Sequence, residues 1–161
     1  MIGNDVIDLL AAKTESNWRR KGWLEKQFTP KEITLIFGNR NPDLMVWKLW
    51  SMKESAYKCW NRISNIRSFN PLKFECSDLS LQRGTISFGE TKFYSKTTLF
   101  QNHLHTVAVS DERALQFATE VEIQSIMMEN GLPYHDGKPA SKSGHGQFLK
   151  GVALLDSQPG F

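Results

Sequence analysis

Apolar and polar positions follow two different periods along this chain, and the change falls near Pro71. Residues 2–7 are short and partly β-branched with Gly3 early, which predicts a buried strand. Residues 15–26 alternate apolar and basic faces through Trp18, Trp23 and Lys26, which predicts a helix. Phe28-Thr29-Pro30-Lys31-Glu32 is a helix start: Thr29 suits the N-cap, Pro30 the first turn, and Glu32 completes a capping box. That helix should end near Phe37, with Gly38 at its C-terminal cap. Asn41-Pro42 is a second start. Residues 43–60 then contain no Gly or Pro, and apolar or small residues recur at Leu44, Trp47, Trp50, Ser51, Ala56 and Tyr57. This spacing predicts the longest helix of the chain.

After Pro71 the texture is Thr-, Phe- and Val-rich with short turns. Strands are predicted over 72–76, 84–88, 92–96, 104–110 and 116–123, in an antiparallel meander. A helical turn over 123–129, a Gly- and Pro-rich loop over 131–147, a last strand over 148–155 and a frayed tail over 156–161 complete the chain. The fold class is α+β: an N-terminal strand and helices packed on a mainly antiparallel sheet, in one domain spanning 1–161.

Composition narrows the function classes. The chain has 161 residues, 40% hydrophobic and 23% charged, which excludes disordered and fibrous classes. No apolar run reaches the length of a membrane span, so no membrane partner is expected. The opening Met1-Ile2-Gly3-Asn4-Asp5 lacks the basic start of a signal peptide, so a cytoplasmic location is expected. Cys59 and Cys76 are too few for a disulfide scaffold or a Cys-rich zinc site. The net charge of +3 is unevenly spread: residues 1–70 hold 12 Lys/Arg against 7 Asp/Glu, and residues 71–161 hold 8 against 10. A basic first half can steer an acidic protein, a phosphorylated small molecule or nucleic acid, or it can be a solvated surface without a partner. No Lys/Arg run of five and no nucleic-acid-binding signature occurs, so no nucleic-acid partner is expected.

Three constellations could carry chemistry. Asp5 lies inside an apolar strand, where a carboxylate is costly without a cation or hydrogen bonds; a strand-end Asp bonded to a backbone N–H is the plainer alternative. Trp50, Glu54 and Lys58 share one helix face at intervals of four, and the Asp43–Trp47 step continues it. The plainer alternative there is a surface ion pair worth about 0.3–0.5 kcal/mol. Lys53 adds a second base beside Glu54. The segment from Gly131 to Gly146 carries Lys138, Ser141, Lys142, Ser143 and His145 among glycines, as a phosphate cradle or as a mobile loop. It matches neither a P-loop nor a dinucleotide fingerprint.

Taken together, these residues resemble the 4′-phosphopantetheinyl transferase superfamily, and among its members the small holo-acyl-carrier-protein synthase type. Gly3-Asn4-Asp5 resembles the family's Gly-x-Asp. Trp50-Ser51-Met52-Lys53-Glu54-Ser55-Ala56-Tyr57-Lys58 resembles its Trp-x-x-Lys-Glu-(Ala/Ser)-x-x-Lys helix, and Phe28–Glu32 its Phe-Thr-x-x-Glu. Gly131-Leu132-Pro133 and Ser141-Lys142-Ser143 resemble a late Gly-x-Pro and Ser-x-Ser-His. Gly144 stands where that His is expected, and His145 follows it.

The resemblance implies a phosphopantetheinyl-transferase-like fold and a Mg²⁺-dependent reaction. The 4′-phosphopantetheine arm of coenzyme A passes to a serine of an apo acyl- or peptidyl-carrier protein, releasing adenosine 3′,5′-bisphosphate. It implies Asp5 and Glu54 as metal ligands, Glu54 as proton acceptor, and Lys58 on the pyrophosphate. It also implies coenzyme A contacts from Lys53, Lys138 and His145, and Asp8 as a ligand through water. A relative that binds coenzyme A or a carrier protein without turnover is the alternative, suggested by Gly144. Homotrimer and monomer both remain open, and in a trimer His145 could serve a neighbour's site. The carrier, whether of fatty-acid, polyketide or peptide synthesis, is not specified.

Overall fold

The computed structural model describes residues 1–156. Strand β1 (Ile2–Asp8) is buried along its whole length. The Asp8 carboxylate ends it by accepting from the Leu10 and Ala11 N–H groups, so helix α1 (Leu9–Glu15) starts directly off the strand. Helix α2 (Trp23–Gln27) follows, after Gly22 at a φ of 82°. The single helix expected over 15–26 is therefore corrected to two short helices, because Asp8 caps early and residues between them turn Trp18 into the core. Helix α3 (Pro30–Gly38) has the expected capping box, with both the Thr29 and Glu32 arms formed. Helix α4 (Pro42–Ser64) runs 23 residues, capped by the Asn41 side chain and closed by Asn65 at a φ of 58°.

Strands β2 (Glu75–Ser77), β3 (Arg83–Phe88), β4 (Thr91–Leu99) and β5 (His103–Val109) form an antiparallel sheet with β1, in the order β1-β5-β4-β3-β2. Helix α4 crosses this sheet on one face. At Gly3 the two backbones meet: a Cβ there would lie 2.1 Å from the Ser55 carbonyl oxygen and 2.8 Å from the Cys59 nitrogen. Only glycine allows β1 this close to α4. The main core lies between them and includes Ile36, Leu49, Met52, Phe74, Ile86 and Phe93.

A second sheet holds β6 (Ala118–Val121), β7 (Met127–Glu129), β8 (Leu132–His135), β9 (Lys138–His145) and β10 (Phe148–Leu154), in the order β6-β10-β9-β8-β7. The loop expected over 131–147 is corrected to β8, β9 and their turns. Its glycines mark hairpins: Asn130-Gly131 has φ values of 51° and 77°, and Asp136-Gly137 has 48° and 73°. Two successive positive φ values give the turn whose twist suits a tight hairpin. The strands expected over 72–76 and 116–123 and the helical turn over 123–129 each prove to be a 3-10 turn leading into a short strand. Of the expected tail, Asp156 is exposed, and 157–161 lie outside the described residues. Among the described residues no helix is long and apolar enough to cross a membrane.

Candidate active site

Asp5 on β1 and Glu54 and Lys58 on α4 line one cavity of about 470 Å³, together with Trp23, Trp47 and Trp50. The close approach at Gly3 sets their meeting, since α4 and β1 bring adjoining turns and pleats together. Asp5 is 9% exposed. One of its carboxylate oxygens, Oδ1, accepts from the Ser143 hydroxyl at 3.1 Å and lies 3.9 Å from Lys58 Nζ. The other, Oδ2, is buried with no hydrogen-bond partner. Burial raises the Asp5 pKa, against the opposing pull of Lys58 and the Ser143 hydroxyl. Burial, and then the charge of Asp5, raise Glu54 to about 7, while Lys58 opposes. Lys58 Nζ is held by the Asn4 carbonyl at 2.7 Å and the Lys142 carbonyl at 3.4 Å.

Two carboxyl groups on separate elements, one with an orphaned buried oxygen and the other destabilised as an anion, fit a hard divalent cation. Among the described residues no group of three or more His, Cys, Asp or Glu side chains is placed to hold a metal. A cation held by these two carboxylates would draw its other ligands from water and substrate oxygens. A larger cavity of about 570 Å³ adjoins this one, sharing Ala12, Ser16 and Trp47, but it lacks the acid pair.

Residues 1–118 match the family model of the 4′-phosphopantetheinyl transferase superfamily. The chain belongs to that superfamily. A search of curated proteins by sequence gives no match. Among solved structures, the chain is similar to Helicobacter pylori holo-[acyl-carrier-protein] synthase in complex with coenzyme A. The TM-score is 0.55 at 15% identity, over 69% of this chain and 100% of that one. It is also similar to holo-[acyl-carrier-protein] synthase from Neisseria meningitidis, with a TM-score of 0.54 at 13% identity, over 68% of this chain and 96% of that one. These likenesses agree with the α+β architecture.

Within the superfamily fold, the other residues singled out in the sequence separate sharply. Lys53, expected on coenzyme A, is corrected: it is fully buried and points away from the cavity. Its Nζ donates to Glu32 Oε2 at 2.6 Å, the Gln27 carbonyl at 2.8 Å and the Pro71 carbonyl at 2.9 Å. An ammonium has three donors, and all three are used. Lys138 pairs with Asp156 at the far end of β9 and is not among the residues that line the cavity. Asp8 acts as a helix cap: Oδ1 accepts from the Leu10 and Ala11 N–H groups, and Oδ2 from the Gln147 N–H at 3.0 Å. These N–H groups hold its carboxyl below the usual carboxylate range.

His145 does line the cavity. Its Nδ1 accepts from the Asp8 N–H at 3.0 Å, and Nε2 lies 3.4 Å from Glu15 Oε2. Because β9 is a strand, His145 shares a face with Ser141 and Ser143, and Gly144 points the other way. The alternation Ser141-x-Ser143-x-His145 has period two, a signal concealed by reading the segment as a loop. Ser143, expected only as a donor in a phosphate cradle, touches Asp5 directly. Asn4 was also missed: its carbonyl holds Lys58, and its side chain bridges His105 Nε2 at 3.0 Å and the Lys150 carbonyl at 3.1 Å.

Proposed function

We propose that this chain transfers the 4′-phosphopantetheine arm of coenzyme A to a serine hydroxyl of an apo acyl- or peptidyl-carrier protein, with Mg²⁺, releasing adenosine 3′,5′-bisphosphate. The observation that carries the reading is the convergence of Asp5, Glu54 and Lys58 in one cavity, within the span that matches the superfamily. The name of the H. pylori structure, a holo-[acyl-carrier-protein] synthase holding coenzyme A, supports the same substrate.

Asp5 and Glu54 would hold the ion, and bound Mg²⁺ supplies charge neutralisation on the pyrophosphate oxygens. The rest falls to the chain. The serine oxygen forms a bond to the β-phosphorus, and the bond from that phosphorus to the bridging oxygen breaks. The electron pair leaves with adenosine 3′,5′-bisphosphate, and the serine proton goes to the Glu54 carboxylate. In the ion-free chain burial and the charge of Asp5 raise this carboxyl to about 7, and a cation held beside it would favour the ionised form that can accept a proton. Lys58, tethered by two carbonyls, presents its remaining donor to the pyrophosphate and offsets charge on the leaving group. Trp23, Trp47 and Trp50 give the cavity an apolar wall that limits water beside the reacting atoms.

The non-catalytic alternative rests on Gly144; that His145, one position later, lines the same cavity as Asp5 and Glu54 supports the catalytic reading. The test is mass spectrometry of apo acyl- and peptidyl-carrier proteins incubated with coenzyme A and Mg²⁺. The expected result is one added phosphopantetheine mass on the carrier serine. No addition on any carrier, with coenzyme A still bound, supports the non-catalytic reading instead.

A further inference from the structure

Neighbouring residues of a strand point to opposite faces. On β1, Asp5 points into the cavity with Glu54 and Lys58, and Asn4 points to the second sheet. Asn4 is fully buried there, where an apolar side chain would pack at less cost. Its Nδ2 lies 3.0 Å from His105 Nε2 and 3.1 Å from the Lys150 carbonyl oxygen, while its Oδ1 is buried without a partner. A carbonyl can only accept, so the Lys150 contact fixes which end of the amide is the nitrogen. The same nitrogen gives its second hydrogen to His105, which therefore accepts at Nε2. Burial lowers the His105 pKa to about 4, so the ring is neutral near pH 7 and its one proton is on Nδ1. His105 also lines a cleft of about 190 Å³ with Thr98 and Glu120, whose oxygens suit a protonated Nδ1. It is not among the residues that line the cavity of Asp5 and Glu54.

What Asn4 holds lies on the other face of the sheet. Its carbonyl accepts from Lys58 Nζ at 2.7 Å, and that carbonyl and the Asp5 Cα belong to one planar peptide unit. A tilt of this plane moves the tether of Lys58 and the root of the Asp5 side chain together. Fixing Asn4 by its amide therefore fixes both charged groups, which stand 3.9 Å apart. A displacement of about 1 Å among reacting groups can cost about 10²-fold in rate.

Resting on the transferase reading above, we infer that His105 and Asn4 are positioning residues for the transfer. His105 acts from behind the sheet: its Nε2 holds the Asn4 amide, and Asn4 sets the peptide that presents Lys58 and Asp5 to the substrate.

Three measurements test this. In the unmodified protein, nitrogen-15 NMR at pH 7 shows His105 protonated at Nδ1 and bare at Nε2. A proton on Nε2 overturns the inference. In transfer assays, His105→Phe, which keeps a ring and removes the acceptor, lowers kcat about tenfold and leaves the KM for coenzyme A within about twofold. His105→Gln, which sets an amide oxygen near the place of Nε2, recovers the rate to within about threefold of the unmodified chain. An unaltered kcat in H105F, or an H105Q as slow as H105F, contradicts the positioning role. In amide exchange, the Asp5 N–H belongs to the same peptide plane and lies opposite Thr106. It exchanges about tenfold faster in H105F than in H105Q, while the Leu49 and Met52 amides of α4 do not differ. Equal Asp5 rates, or a rise shared by α4, would make His105 a packing residue and overturn the inference. If the unmodified chain modifies no carrier, the transferase reading fails on its own. The tautomer and the exchange rates then still decide whether His105 holds β1.

Discussion

Two of the three lysines of helix α4, Lys53 and Lys58, each stand beside a carboxylate from another element, and the two pairs have opposite characters. Lys53 meets Glu32 with both side chains at 0% exposure, and every donor and acceptor is used: Glu32 also accepts from the Thr29 and Cys76 N–H groups. Lys58 stands 3.9 Å from Asp5 in an open cavity, where one Asp5 oxygen has no partner and Glu54 is pushed to about 7. The closed pair ties α3, β2 and the chain around Gln27 and Pro71 to α4. The open pair is left electrostatically unfinished. A buried charge that is fully paired fixes a structure, and one left short of partners marks where a ligand completes the set.

The largest expected effect separates the two pairs by activity. Glu54→Gln should cut carrier modification by about 10²–10⁴-fold, as loss of a general base does, with the fold retained by circular dichroism. Lys53→Met should do the reverse. It leaves Glu32 buried without its cation and should cost about 3–5 kcal/mol in urea unfolding, whereas K53M/E32L should recover much of that loss. If K53M instead abolished transfer in a protein of normal stability, the contrast would break. Lys58→Ala should lose about ten- to hundredfold in rate, the scale of one charge-assisted hydrogen bond, with little change in unfolding.

The smallest effect is in pH. Glu54 has its folded pKa raised from 4.5 to about 7. Between those values the unfolded chain has released a proton that the native chain keeps, so stability falls as pH rises through this window and levels above it. In metal-free buffer Glu54→Gln should therefore unfold at higher temperature than the unmodified protein at pH 8 and show no such gain at pH 4.5. Equal differences at both values would mean that Glu54 is not held neutral by its surroundings.

Local signals made much of the fold legible. The Thr29–Glu32 capping box, the Asn41-Pro42 start and the uninterrupted α4 depend on neighbours in sequence, and each formed as expected. Asp5, Glu54 and Lys58 came from the family motif, and the Gly3 contact gives that motif its physical reason. The β8–β9 region was misread because its Gly and Pro content suggested a loop, although Asn130-Gly131 and Asp136-Gly137 were hairpin signals. Lys53 was expected at the ligand from the resemblance, and a helix period alone does not say which of two adjacent residues faces the core. The partner that decides it, Glu32, lies 21 positions away and belongs to the capping box. Ser143 could not be placed on Asp5 without knowing that β9 lies along β1, a pairing across 138 residues.

The most direct measurement of the shared ion is Mn²⁺ binding followed by electron paramagnetic resonance, with coenzyme A present, in the unmodified chain and in Asp5→Asn and Glu54→Gln. If the two carboxylates grip one cation, the unmodified chain takes up about one Mn²⁺ and each variant weakens it at least about tenfold. Undiminished affinity in both variants would show that these acids do not hold the ion together.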